Sequence, residues 1–272
     1  IPPREYLFIV DVSGSMNGFP LNTAKTLIGD LIGNLRPTDR FNVLLFAGGQ
    51  ALMAEKPVAA TPENIDRAEA LIERQRGGGG TQLLPALEKA LALPAAENSA
   101  RTVVIATDGY VSVEKQAFDL IRHRLGDANL FAFGIGSSVN RHVIEGMARV
   151  GMGEPFVVTR PAGAEKASEQ FRELIASPML TDIAVEYQGF DAYDVAPLSV
   201  PDLFAKRPVV VFGKYREKPE GEIHVTGRVG EKTYQKTIAV NPEMADDRNA
   251  GLRYLWARHK IAMLSDYNRL SA

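Results

Sequence analysis

The sequence has 272 residues, of which 45% are hydrophobic and 24% are charged, and its formal net charge is −2. This composition is typical of an ordinary globular protein, with a length that suits one large domain and a smaller one. The charge balance predicts no nucleic-acid partner, because such partners require an excess of lysine and arginine. The absence of cysteine excludes disulfides, thiolate metal sites and thiol catalysis.

The sequence also contains no candidate membrane anchor. No apolar run approaches the roughly 20 residues that cross a bilayer, so we expect no transmembrane segment. The chain starts Ile1-Pro2-Pro3 without an initiator methionine or a signal peptide. We therefore expect it to be a piece of a longer protein whose targeting segments lie outside this sequence.

From residue 6 to residue 176 the hydrophobic pattern alternates between short apolar runs and amphipathic helices. Strands are expected at 6–10, 41–46, around Leu52, at 102–106, at 130–135 and at 156–158. Helices are expected after Pro20, after Thr61-Pro62-Glu63, after Gly77–Thr81, around Phe118 and Ile121, after Asn140, and at 164–176. The alternation predicts right-handed βαβ units, and hence a Rossmann-like, doubly wound, mostly parallel sheet covered by helices on both faces.

After Pro178 the pattern changes to strands without intervening helices. These strands are expected around 183–187, 208–212, 223–225 and 234–240, with a hairpin turn at Val229-Gly230-Glu231-Lys232. In the last segment, one apolar helical face is expected to dock, formed by Leu252, Leu255, Trp256, His259, Met263 and Tyr267. We predict an α/β domain at 1–178, an antiparallel β unit at 179–246 and a C-terminal helix at 247–272.

Three oxygen-bearing clusters fall in loops where the predicted sheet places ligand sites, at the carboxyl ends of strands or at helix entries. They are Asp11/Ser13/Ser15, Thr81 and Asp108. Hard cations such as Mg²⁺ take about six oxygen ligands from carboxylates, hydroxyls and water. Two carboxylates balance a divalent charge, and neutral hydroxyls leave the ion electrophilic enough to accept another carboxylate. The three clusters together predict a divalent-metal site, although each alone would suit a helix cap or a polar turn.

Catalytic alternatives fit the same stretches less well. A haloacid dehalogenase-type phosphatase needs a second aspartate where Ser13 stands, and a P-loop needs a lysine that Gly77–Thr81 lacks. A serine hydrolase elbow would place its serine one position later than Ser15. None of the four histidines, His123, His142, His224 and His259, forms a metal-spaced pair. We therefore expect no catalytic residues, and a Mg²⁺-dependent hydrolase is the weaker alternative.

The segments Asp11-Val-Ser13-Gly-Ser15, Thr81 and Thr107-Asp108-Gly109 resemble the metal-ion-dependent adhesion site of von Willebrand factor type A domains. The resemblance covers residues 5 to about 177. More narrowly, the sequence is similar to the inter-alpha-trypsin inhibitor heavy-chain group, in which a vault-type domain precedes the type A domain. That similarity is carried by Leu35–Asn42, Ser177–Thr181 and Leu255–Ala257. The loops and the absence of cysteine favour a bacterial member.

The resemblance implies that 1–178 is a type A domain that binds partners through an ion rather than turning over a substrate. Its expected ligand set is Asp11, Ser13, Ser15, Thr81 and Asp108, holding Mg²⁺, or alternatively Mn²⁺ or Ca²⁺. An Asp or Glu of a protein partner would complete the shell. An N-terminal vault-type domain of the same protein is a further expected partner, for the β unit.

The resemblance also implies an extracellular, cell-surface or periplasmic protein used in adhesion. A cytosolic adaptor that clamps a subunit of an ATPase complex is the alternative, because type A domains also occur with ATPase partners. The heavy chains attach covalently to glycosaminoglycan through a C-terminal Asp-Pro. This sequence ends Leu270-Ser271-Ala272, so that activity is not expected here.

Overall fold

The computed structural model describes residues 4–96, 99–126, 128–175, 178–197, 200, 203–204, 208–229, 232–244 and 246–268. The chain divides into two compact units, Ile1–Glu173 and Leu174–Ala272. The predicted division at 178/179 and 246/247 is a finer one and stays a prediction. In the described part of the chain, none of the helices combines the length and apolar composition that a membrane-spanning helix requires.

The first unit is built on a seven-stranded sheet. Its strands are β1 (Arg4–Asp11), β2 (Arg40–Phe46), β3 (Gln50–Leu52), β4 (Val58–Ala59), β5 (Ala100–Thr107), β6 (Asn129–Ile135) and β7 (Met152–Val158). The order is β3-β2-β1-β5-β6-β7, and β4 also pairs with β2. The neighbouring strands β2, β1, β5, β6 and β7 are all parallel to one another, whereas β3 and β4 run antiparallel to β2. The predicted doubly wound, mostly parallel fold is confirmed.

Helices lie between these strands along the chain, and a last one follows β7. They are α1 (Phe19–Gly33), α2 (Pro62–Glu73), α3 (Leu83–Leu91), α4 (Glu114–Arg124), α5 (Arg141–Val150) and α6 (Gly163–Ile175). The predicted caps are present, because the Thr61 hydroxyl accepts the Asn64 N–H and the Asn140 side chain accepts the Val143 N–H. These caps satisfy backbone donors that the first helical turn leaves without partners.

The sheet is covered on both faces, which explains why the middle residues of its central strands are apolar. Every residue of β1 is buried. One face packs against α3, α4 and α5 through Leu87, Phe118 and Met147, among other buried side chains. On α6, the Phe171 ring packs edge-on against Phe131, with centroids 5.1 Å apart. This two-sided burial leaves the strand ends and loops as the places where polar groups meet solvent.

In the second unit, the paired strands that the structure describes are antiparallel, and one α-helix follows them. They are β8 (Pro178–Gln188), β9 (Asp191–Ala196), β10 (Leu203–Phe204), β11 (Phe212–Arg216), β12 (Gly221–Val229), β13 (Lys232–Val240) and α7 (Gly251–Asn268). One sheet has the order β10-β8-β12-β13, and a second sheet pairs β11 with β9. The predicted hairpin agrees with the pairing of Val229 with Lys232, although residues 230–231 lie outside the described residues.

Two strand assignments in this unit differ from the sequence prediction. The strand predicted at 208–212 was wrong: residues 208–211 are not in a strand, and β11 begins at Phe212. Val210 in that apolar run is 52% exposed, so the run does not form a buried strand. Strand β9 was not predicted, because Asp191 and Asp194 interrupt its apolar pattern. Both aspartates form ion pairs with β11, to Arg216 and Lys214, and these pairs help to hold the strands together.

The predicted docking face of the C-terminal helix was wrong in part. Trp256 does dock, since its indole N–H donates to the Asp194 carbonyl at 3.0 Å. His259 lies beside the Phe212 ring, with centroids 5.9 Å apart. Leu252 and Leu255, however, are about half exposed, and the side chains of Met263 and Tyr267 lie outside the described residues. Helical periodicity therefore identified part of the contact face and misplaced its N-terminal end.

A substitution in α5 tests the close packing of α4 against α5. A Cβ at Gly146 would overlap the ring of Phe118, which is only 2% exposed. We expect Gly146→Ala to lower the free energy of unfolding by about 1–3 kcal/mol, the usual cost of overpacking a core. Chemical denaturation followed by circular dichroism measures this change.

Gly29→Ala is the matched control, because Gly29 is also inside a helix but a Cβ there would meet nothing within 4 Å. It should stabilise the protein by up to about 1 kcal/mol through helix propensity alone. Changes of the same sign in both variants would contradict the packing described for Gly146.

Candidate metal centre

Asp11 stands at the end of β1 with its side chain fully buried. One carboxylate oxygen, Oδ1, accepts the Ser13 N–H at 2.9 Å. The other, Oδ2, accepts the Thr107 hydroxyl at 2.6 Å from the end of the neighbouring strand β5. Because Val10 is aligned with Ala106 in the parallel pair, the two strand ends meet at this hydrogen bond. Both carboxylate oxygens are thus fixed by the protein.

Burial raises the pKa of Asp11 above its ordinary value, and the nearby Asp108 carboxylate raises it further. The hydrogen bonds from Ser13 and Thr107 oppose this effect without cancelling it. A buried carboxylate in this position gains from a nearby positive charge, which favours its ionised form. The electrostatics of this edge of the sheet therefore favour a bound cation.

Ser13 and Ser15 are brought together by a tight turn after Asp11. Residues 14–16 form one 3₁₀ turn, which Met16 anchors by burying its side chain completely. The Oγ atoms of Ser13 and Ser15 are 3.2 Å apart. Ser13 is buried, whereas Ser15 is exposed. The turn thus presents two hydroxyl oxygens side by side, one buried and one exposed.

The glycine run at 77–80 lies against this turn through backbone contacts. The Gly78 N–H donates to the Val12 carbonyl, and the Gly14 N–H donates to the Gly79 carbonyl, both at 3.0 Å. Gly77 and Gly79 have φ of +77° and +79°, a region that favours glycine. The run therefore brings the segment that leads to Thr81 against the Asp11 loop.

Thr81 follows this run and is half-buried. The next residue, Gln82, donates its N–H to the Ala47 carbonyl just after β2, at 2.9 Å. Thr81 is thus held between the glycine run and the end of β2, at the same edge of the sheet. Within the described residues its hydroxyl makes no hydrogen bond, so it is available to a ligand.

Asp108 lies directly after β5 and is only 5% exposed. Its Oδ1 accepts the Tyr110 N–H at 3.0 Å, while its backbone carbonyl accepts the Asn140 N–H from the start of α5. The Thr107 hydroxyl accepts the Gly109 N–H and so shapes the same turn. Considering only the residues that the structure describes, the second oxygen of Asp108, Oδ2, has no hydrogen-bond partner.

The structure places all five predicted ligand residues at one edge of the sheet. Direct hydrogen bonds join Asp11, Ser13 and Ser15, and Thr107 connects Asp11 to the turn that carries Asp108. Thr81 joins them through backbone contacts of the glycine run. Thr107 was quoted in the sequence motif but was not predicted as a site residue. Its role depends on strand register, which residue types do not reveal.

The donor set fits a hard divalent cation. Two oxygens at neighbouring positions of an octahedral Mg²⁺ shell lie about 3.0 Å apart, because each is about 2.1 Å from the ion. The Ser13 and Ser15 hydroxyls are already near that separation, at 3.2 Å. Throughout the described ranges, no group of three or more histidine, aspartate and glutamate side chains could hold a metal ion. A metal site on these residues therefore requires hydroxyl ligands beside the carboxylates.

Known proteins similar to this chain indicate its family. The family model for the von Willebrand factor type A domain matches residues 5–155, more than half of the chain. A von Willebrand factor A domain-containing protein of Dictyostelium discoideum is 26% identical over 211 residues, which cover 76% of this chain and 23% of that protein. Inter-alpha-trypsin inhibitor heavy chain H3 of Bos taurus is 25% identical over 231 residues, covering 80% of this chain and 26% of the heavy chain. The chain spans about a quarter of the length of these curated relatives.

Solved structures show the same architecture. The von Willebrand factor type A protein from Catenulispora acidiphila aligns with a TM-score of 0.65 at 16% identity, over 87% of this chain and 65% of that chain. The ArnB paralog VWA2 from Sulfolobus acidocaldarius aligns with a TM-score of 0.59 at 15% identity, over 97% and 73%. At these identities the likeness shows the fold alone. The predicted bacterial origin stays a prediction. With the family match over residues 5–155, the chain belongs to the von Willebrand factor type A domain family.

Proposed function

We propose that this chain is a protein-binding module that captures a partner's carboxylate through a divalent cation, with Mg²⁺ as the preferred ion and Mn²⁺ or Ca²⁺ as alternatives. The observation that carries the proposal is the pair of serine hydroxyls, 3.2 Å apart, beside two buried carboxylates at one edge of the sheet. Membership in the type A domain family indicates a protein-interaction module. The metal dependence is our own inference from the donor set.

Five residues would hold the ion: Asp11, Ser13, Ser15, Thr81 and Asp108. Asp11 and Asp108 supply two negative charges that balance a divalent cation, and the three hydroxyls are neutral. When bound, the ion would supply an electrophilic position for an oxygen of the partner. The fold holds these oxygens in place before the ion binds. This order lowers the conformational entropy that is lost on binding.

The exposure of the site favours a protein partner. Asp11, Ser13 and Asp108 are buried, whereas Gly14, Ser15 and Gly78–Gly80 are exposed. One side of the site is therefore buried in the protein, and the other side is accessible to another surface. We infer that a partner's Asp or Glu approaches from that accessible side. We also infer that the site binds this partner and does not convert a substrate.

The cellular location of this module and its neighbouring domain are proposals as well. Relatives of this chain include inter-alpha-trypsin inhibitor heavy chains, of which it spans about a quarter. We propose an extracellular, cell-surface or periplasmic location, and a vault-type domain as a neighbour for the antiparallel unit. Neither the location nor the neighbour affects the experiments on the metal site.

Metal removal provides the first test. A ligand that binds only the folded state stabilises it by about 2.7 kcal/mol at a hundred times its dissociation constant. We expect Mg²⁺ to raise the unfolding temperature measured by calorimetry, and EDTA to reverse the rise. Ser15→Ala should abolish the shift without loss of basal stability, because Ser15 is exposed. Identical unfolding temperatures with millimolar Mg²⁺ and with EDTA would contradict the site.

A substitution behind the ligands tests how they are held. Thr107→Val keeps the shape of the side chain but removes the hydroxyl that donates to Asp11. We expect Mg²⁺ affinity to fall by about 10–100-fold, the usual effect of losing a group that orients a metal ligand. Titration calorimetry measures the affinity. Thr102→Val, a buried position in the same strand, should leave it unchanged.

Peptides test the capture of a carboxylate. We expect the full chain to bind surface-immobilised peptides with a central glutamate in Mg²⁺, and to lose this binding in EDTA or when glutamine replaces the glutamate. Asp108→Asn should abolish the binding because it removes one of the two charges that hold the ion. Asp66→Asn, at an exposed position of α2, is the matched control. Equal binding to glutamate and glutamine peptides would rule out carboxylate capture.

A further inference from the structure

We infer that Tyr110 is a specificity-determining contact residue, which favours partner segments that carry an apolar residue or proline beside the captured carboxylate. This inference rests on the proposed function and concerns the partner's chemistry next to the metal. It follows from where Tyr110 lies, how it is held and how much of it is exposed.

Tyr110 is unusual in the first unit because its large side chain is 64% exposed. Among the described residues from 4 to 175, it is the only exposed large hydrophobic side chain. A single exposed hydrophobic residue is ordinary in most places on a protein surface. Here, however, the residue lies two positions from the predicted ligand Asp108, and its backbone N–H donates to the Asp108 carboxylate. An exposed aromatic residue this close to a predicted ligand is a candidate for contact with the partner.

The backbone around Tyr110 is clamped from both sides. The Tyr110 N–H donates to Oδ1 of Asp108 at 3.0 Å, and the Val111 N–H donates to the Gly109 carbonyl at 2.9 Å. Val111 packs against the hydrophobic core, and Gly109 adopts a φ of +75° that turns the chain. These contacts hold the backbone in place and leave the side chain outside. The ring is therefore presented on a rigid base rather than on a loose loop.

The proximity to Asp108 defines what the ring can reach. Since Asp108 accepts the Tyr110 backbone N–H at 3.0 Å, a group captured beside Asp108 lies close to the residue that carries the ring. Tyrosine offers a flat apolar face at low conformational cost, and it is enriched among residues that dominate binding energies. The face of a tyrosine ring carries no formal charge. An apolar side chain or a proline next to the partner's carboxylate is the chemistry that would bury it best.

The test uses the full chain and immobilised peptides in which a central glutamate is followed by leucine, proline, serine or lysine. In Mg²⁺ we expect the leucine and proline peptides to bind about tenfold more tightly than the serine peptide, as expected for one well-placed aromatic contact. Tyr110→Ala should remove this preference, and Tyr110→Phe should keep it because the ring face remains. Mg²⁺ affinity should stay the same in both variants, since the hydrogen bond of Tyr110 to Asp108 comes from its backbone N–H, which both variants keep. Tyr254→Ala, at another highly exposed tyrosine, is the matched control.

The outcomes separate this inference from the proposed function. If glutamate peptides bind with Mg²⁺ but Tyr110→Ala leaves the leucine and proline preference intact, Tyr110 is not the selecting contact. A preference of the wild-type chain for the lysine peptide would overturn the apolar class of partner, pointing to a cation over the ring instead. If no glutamate peptide binds in a Mg²⁺-dependent way, the proposed function and this inference are both wrong.

Discussion

The hydrogen bond between Thr107 and Asp11 is the contact on which the candidate site depends most. It joins the ends of two neighbouring parallel strands, and both partners are completely buried. The Thr107 hydroxyl donates to Asp11 and accepts from the Gly109 N–H. Asp11 in turn fixes the backbone of Ser13. One hydroxyl thus couples the loop that carries the serines to the loop that carries Asp108, so neither loop can shift without straining the other.

Burial divides this site into a fixed part and an accessible part. The carboxylates and Ser13 are inside, where few water molecules compete with their hydrogen bonds and where charge is costly without a counter-charge. Ser15, the glycine run and Tyr110 lie outside, where another molecule can approach. Such a division would hold the surroundings of a bound ion fixed without closing the site to a large partner. It is a suitable arrangement for recognition of a protein surface.

Much of this organisation could be predicted from the sequence because hydrophobic periodicity determines the order of strands and helices. Once that order is known, Asp11 and Asp108 fall at strand ends that must share an edge. The role of Thr107 could not be predicted, because it depends on the register between β1 and β5. Strand β9 was missed because its aspartates are stabilised by cations on another strand. The docked face of α7 depends on single contacts, such as Lys214 3.8 Å above the Trp256 ring, rather than on periodicity.

The clamp between the glycine run and the Asp11 loop has a consequence for how such a sequence can diverge. Its hydrogen bonds run between backbone atoms, so they depend on conformation and not on side chains. At Gly77 and Gly79 a Cβ would press on neighbouring backbone and the φ angles are positive, whereas at Gly78 and Gly80 a Cβ would meet nothing within 4 Å. We therefore expect alanine to be tolerated at Gly78 and Gly80 but not at Gly77 and Gly79. The four glycines are identical in sequence, but the structure requires glycine at only two of them.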